Sequence, residues 1–257
     1  MLSTPTAASL AAVRKNGFAL QFAAPSLKAN REIVLTAVGQ HGASLQYACE
    51  ELQTDQEVLL AASAKTPGAL RHASEHARCD HEIVLAVVSQ DPESLEFASE
   101  DLRNNPDIVF AAARTKAWVL RYSPQLVADS SFMQRLVSRN GRALRYASAH
   151  LRADRAIVLA AVADYGLALE CASAELRDDV EVVTTAVNAS GRALQFASPR
   201  LRNNRDVVIA ALMEAPTALR FASPQLHEDP EAIAIFTYDE GTRKEAASLD
   251  AARRQIH

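Results

Sequence analysis

Aromatic residues are scarce, at 5% of the chain, and Trp118 is the single tryptophan. With 49% of residues hydrophobic, alanine, valine and leucine must fill the interior, which suits closely packed helices better than a β-sandwich. Cysteine is sparse too. Cys49, Cys79 and Cys171 cannot form a complete disulfide set, and a reducing compartment is the simplest fit. Lysine is limited to Lys15, Lys28, Lys65, Lys116 and Lys244, so arginine dominates the cations. The net charge of −4 gives no bulk attraction to nucleic acid or acidic membranes. No run approaches the roughly 18–20 apolar residues that span a bilayer. Met1-Leu2-Ser3-Thr4-Pro5 lacks the basic start of a signal peptide. The expectation is a cytoplasmic chain with no membrane association.

What the chain has instead is a repeat. Sliding the sequence by twenty-five residues aligns ten repeats starting at Thr6, Arg31, Gln56, His81, Pro106, Ser130, Arg155, Val180, Arg205 and Pro230. The fifth is one residue short, and the tenth decays after Gly241 into the charged Arg243-Lys244-Glu245 and Arg253-Arg254. Position 15 of the repeat is leucine nine times running, from Leu20 to Leu219, although leucine is only about a tenth of ordinary composition. Position 17 is aromatic at Phe22, Tyr47, Phe97, Tyr122, Tyr146, Phe196 and Phe221, and position 25 is always Asn or Asp.

Local chemistry turns this pattern into structure. Asp80 in Asp80-His81-Glu82-Ile83-Val84 reads as an N-cap, with Glu82 favoured by the helix dipole. Apolar residues at positions 3, 4, 7 and 8 form a helical stripe, which outweighs the β-propensity of Ile33-Val34-Leu35. Gly or Pro at position 12, as at Gly42, Pro92 and Gly191, is expected to end that helix. A second, shorter helix carries A-L-x-[FY]-A-S, with Leu194, Phe196 and Ala197 inward and Gln195 outward. Ser198-Pro199 then opens a final short turn that tucks Leu201 inside. One repeat cannot bury enough surface to fold alone, so the repeats must stack. The expected fold is an all-α solenoid, a single elongated repeat domain over residues 1–257 with an irregularity at 117–135. Its short-helix side is expected to be concave.

The succession Glu-Ile-Val-Leu-x-Ala-Val followed by Gly-x-Ala-Leu-x-[Phe/Tyr]-Ala-Ser resembles bacterial and protist repeats called domain of unknown function 4116. The resemblance runs from about Thr6 to Asp229 and is clearest over 31–55 and 155–204. It implies the helical-repeat fold and brings no catalytic residues. Relatives in secreted effectors of intracellular bacteria imply host-protein binding and delivery into a host cell.

Nothing in the chain assembles into an evident reaction centre. His72, His76, Cys79 and His81 cluster in sequence, but His72 falls at the aromatic position and the others at variable ones, so no metal or other cofactor is expected. Cys171 replaces an aromatic and Cys49 a capping serine, and packing roles are expected for both. The carboxylates recur at the second helical position (Glu57, Glu82, Glu181, Glu231), a structural periodicity; an enzyme is not expected. Near each repeat's end Lys28, Arg78, Arg103, Arg152, Arg177, Arg202 and His227 would align as a ridge able to track phosphates. The aromatics needed for base stacking are expected in the core, which argues against that use. Repeat 5 replaces Gly or Pro with Ala117 and introduces Trp118. The expected function is a scaffold for a protein partner, with positions 13 and 16 lining its groove: Trp118, Arg121, Arg142, Arg145, Arg192, Gln195 and Arg220. Nucleic-acid binding and a structural or oligomerisation rod are the alternatives; oligomeric state stays open.

Overall fold

A computed structural model describes residues 4–237, with side chains from residue 10 onward. The charged segments Arg243-Lys244-Glu245 and Arg253-Arg254 and the side chains of Ala7, Ala8 and Ser9 lie outside the described residues. The chain divides into two compact units, Met1–Leu126 and Val127–His257. Their boundary falls inside the stretch 117–135, where the repeat is irregular. Among the described residues every regular element is helical.

Each of the first nine repeats contributes three elements. In the N-terminal unit, repeat 2 has an α-helix at Arg31–Gln40, a 3₁₀ helix at Gly42–Tyr47 and a short turn of helix at Glu50–Thr54. In the C-terminal unit, repeat 8 has Val180–Ala189, Gly191–Phe196 and Pro199–Arg202. Within each unit the long helices pack on one another in sequence order, and so do the 3₁₀ helices.

The long helices start where the caps predict. Asn30, Asp55, Asp80, Asn105, Asp129, Asp154, Asp179, Asn204 and Asp229 each accept a bond from a backbone amide of the first turn. Ile33, Val34, Ala37 and Val38 are buried, as the 3-4-7-8 stripe requires, and the position-15 leucines from Leu20 to Leu194 are fully buried. Leu219 is half-buried.

The long helices do not end as the sequence suggested. Among the described residues Gly68 is the only one with positive φ, so the position-12 glycines are not left-handed caps. The helix stops one residue earlier, where His41, Tyr165 and Ser190 turn extended. Glycine follows because the next repeat comes close: a Cβ on Gly191 would lie 2.3 Å from the carbonyl oxygen of Ala211.

Two further contacts join consecutive repeats. The position-19 amide donates to the position-23 carbonyl of the preceding repeat: Cys49 to Lys28, Ser74 to Gln53, Ser99 to Arg78, Ser148 to Val127, Ser173 to Arg152, Ser198 to Arg177 and Ser223 to Arg202. Repeat 5 is the exception, because it lacks the alanine of position 18. The Ser123 amide must close its own 3₁₀ helix on Leu120, and the Ser123 hydroxyl donates to the Arg103 carbonyl instead.

The second contact is ionic. Where position 1 is arginine, its guanidinium reaches the cap and second-position carboxylates of the next repeat. Arg31 engages Asp55 (3.2 Å) and Glu57; Arg155 engages Asp179 (3.1 Å) and Glu181; Arg205 engages Asp229 (2.9 Å) and Glu231 (2.6 Å). The Val182 amide, assisted by Arg155 and against the opposing effect of burial, holds the Asp179 carboxyl below its ordinary value. Arg205 does the same at Asp229. At Asp55 burial pushes the other way, and the Val58 amide and Arg31 outweigh it.

Two outcomes follow for stability. Leu169→Ala should cost about 2–5 kcal/mol in urea unfolding, since the leucine is fully buried. A depressed carboxyl stabilises the fold above its unfolded value and stops doing so as pH falls through its folded one. Stability measured against pH should therefore hold down to the ordinary aspartate value of 3.8 and then decline. Asp179→Asn keeps a capping side chain but removes the partner of Arg155. Its deficit at neutral pH should shrink to nothing in acid.

Candidate functional site

The 3₁₀ helices decide which side chains face solvent. In a 3₁₀ helix residues three apart eclipse, so six residues make three rows. Gly191 and Leu194 fall in one row with Ala197 at its end, and all three are buried. Arg192 and Gln195 form the second row, and both are exposed. Ala193, buried, and Phe196, half-exposed, form the third.

The exposed row holds the residues singled out from sequence. In the N-terminal unit it brings Trp118 and Arg121 together on the helix Ala117–Tyr122. The Arg121 guanidinium lies 4.5 Å from the Trp118 ring centroid and 4.8 Å from that of Tyr122, and the two rings meet edge-on at 6.2 Å. Arg121 also donates to the Tyr122 hydroxyl (2.7 Å), which donates to Glu96 of the preceding repeat (2.9 Å). Beside them Lys116 pairs with Glu93 at 2.8 Å. Trp118 is half-buried rather than fully exposed. The result is a patch of Trp, Tyr and Arg whose rotamers are fixed by one another and whose charge is balanced by Glu96.

The other five candidates belong to the C-terminal unit and all are exposed. Arg142 stacks over Tyr165 (4.8 Å), and Arg220 stacks over its neighbour Phe221 (4.6 Å). Gln195 donates to the Arg192 carbonyl. Arg145 lies close enough to Cys171 to act on its thiol.

The third row corrects the sequence reading of position 17. Tyr47, Phe97, Tyr122, Tyr146, Phe196 and Phe221 are only half-buried, and Phe22 is 86% exposed; none is core. At two junctions of the C-terminal unit the ring shares a groove with the position-23 side chain of the preceding repeat. Arg177 and Arg202 both line the groove that holds Phe196, and Arg202 lines the one that holds Phe221. An α-helical period hides this row; the three-residue period of A-L-x-[FY]-A exposes it.

The remaining chemistry is unassembled. Among the described residues no three His, Cys, Asp or Glu side chains are placed to hold a metal ion. His72 and Cys171, at position 17, are half-buried like the aromatics they replace, and no side-chain cap bond forms at Cys49. Burial, followed by Arg71, pushes His72 below its ordinary value, and burial, followed by Glu170, pushes the Cys171 thiol up. Among the described residues no helix is long and apolar enough to cross a membrane.

A family model described as a domain of unknown function (DUF4116) matches six times in tandem, over residues 9–53, 30–78, 55–101, 80–126, 129–177 and 179–227. The chain belongs to the DUF4116 family. Each DUF4116 match spans nearly two of the repeats, and successive matches leave 127–128 and 178 uncovered, the first at the boundary between the two compact units. No curated protein and no solved structure matches the chain.

Because Trp118 is the only tryptophan, its fluorescence reports on the Arg121 patch. Arg121→Ala should raise quenching of Trp118 by acrylamide and leave the unfolding midpoint almost unmoved. Unchanged quenching would mean that the guanidinium does not cover the ring.

Proposed function

We propose that the chain is a non-catalytic helical-repeat scaffold that binds a protein partner through the Trp118–Arg121–Tyr122 patch of its N-terminal unit. The observation that carries this reading is the preassembled stack of Arg121 on Trp118 and Tyr122, tied by hydrogen bonds to Glu96. Tryptophan, tyrosine and arginine dominate the energetics of protein interfaces. Side chains already held in place lose little conformational entropy on binding. The half-buried indole offers a flat apolar surface beside a positive rim, suited to a partner with an apolar side chain next to a carboxylate or carbonyl. Arg142, Arg145, Arg192, Gln195 and Arg220 occupy the same register in the C-terminal unit and extend the polar face there.

The test is capture by the intact protein beside a Trp118→Ala, Arg121→Ala variant, with nuclease treatment of both samples and circular dichroism to report the fold. A protein retained by the intact form, lost by the folded variant and indifferent to nuclease is the expected result. Equal retention by both forms would remove the patch from the binding surface.

A further inference from the structure

The two sets of arginines in the C-terminal unit are used differently. Arg155 and Arg205, at position 1, are each engaged by two carboxylates, and Arg200 is taken by Asp178 at 3.0 Å. Among the described residues Arg152, Arg177 and Arg202, at position 23, form no ion pair, and their Nε atoms are sealed against the protein without a hydrogen-bond partner. Unpaired arginines held at one position of successive repeats are not explained by stacking, which the backbone already provides.

The same backbone sets their spacing. Ser173, Ser198 and Ser223 donate to the carbonyls of Arg152, Arg177 and Arg202, each at 2.9 Å, so one guanidinium recurs per repeat in fixed register. Beside them come half-exposed rings: Phe196 in the groove shared by Arg177 and Arg202, and, beyond Arg202, Phe221, which carries Arg220 over its ring. Tyr146 is the half-exposed ring two repeats before Phe196, and Cys171 takes the place between them. Of the acidic groups at hand, Asp178 is occupied by Arg200 and Ser198, and Glu175 by its own amide and the Ser173 side chain, with Arg177 acting on it only through space.

We infer that this row binds single-stranded nucleic acid, with phosphates on Arg152, Arg177 and Arg202 and bases stacked on Phe196 and Phe221. Unpaired cations alternating with ring faces match what a flexible strand presents, a charge and a flat base at every step. An acidic polypeptide would meet the cations and leave the rings without a counterpart at each repeat. The row belongs to the C-terminal unit and the Trp118 patch to the N-terminal one, and neither reading depends on the other.

The experiment is fluorescence anisotropy of the full-length protein with a labelled oligouridylate, an oligothymidylate and a poly-glutamate peptide, from low to physiological salt. The expected result is oligonucleotide affinity that falls linearly on a double logarithmic plot against salt. Arg152→Gln, Arg177→Gln, Arg202→Gln together should flatten the slope by about 2, at roughly 0.7 per phosphate contact on a single strand. Phe196→Ala with Phe221→Ala should weaken binding by about tenfold or more at an unchanged slope. That variant keeps every charge, so it tests the row even if the arginine variant folds poorly; circular dichroism reports the fold of both. Absence of salt-dependent oligonucleotide binding would overturn the inference. So would an unchanged slope in a folded arginine variant, or poly-glutamate bound as tightly as oligouridylate with the ring variant unaffected.

Discussion

One backbone hydrogen bond sets the geometry on which the surfaces depend. The position-19 amide reaches the position-23 carbonyl of the repeat before it, and this fixes how far each repeat advances on its neighbour. Burial of the leucines supplies the driving force but is non-directional and does not by itself fix a register. A directional bond between main chains does. Repeat 5 shows how tightly the register is kept. The missing alanine removes the donor, and the Ser123 hydroxyl bonds the same Arg103 carbonyl. The junction survives, with an altered backbone at Ser123.

The 3₁₀ helix is the second constraint. Its three-residue period puts Gly, Leu and Ala in a buried row, and so exposes positions 13 and 16 as one stripe and position 17 as another. Trp118 and Arg121 stack because of that eclipse. Gly191 is glycine because the buried row presses on the Ala211 carbonyl, a requirement of packing between repeats rather than of local turning.

Much of this was legible in the sequence. The leucines of position 15, the Asn and Asp caps and the Ser198-Pro199 turn that buries Leu201 all stand where periodicity and capping chemistry put them. The kind of short helix was not legible, because A-L-x-[FY]-A-S satisfies an α-helical period as readily as a 3₁₀ one. Phe196 and Phe221 were accordingly placed in the core, and their alternation with Arg177 and Arg202 stayed hidden. The clamps of Arg31, Arg155 and Arg205 were also out of reach. Their partners lie 24 and 26 residues away, and only the stacking register brings them together. Trp118 was visible as an anomaly, whereas its cover by Arg121 depends on three-dimensional placement.

Arginine therefore has three uses, at three positions of the repeat. At position 1 it clamps neighbours, at position 16 it lies over aromatic rings as at Arg121 and Arg220, and at position 23 it stands unpaired beside them. The first use is structural; the other two are open to ligands only because the backbone register holds them in place. Hydrogen exchange of the Ser99, Ser173, Ser198 and Ser223 amides tests that register most directly. These amides should exchange only through global or whole-repeat opening, with protection close to that of the buried long-helix amides. Exchange near the rate of an unstructured chain, with the long helices still protected, would contradict it.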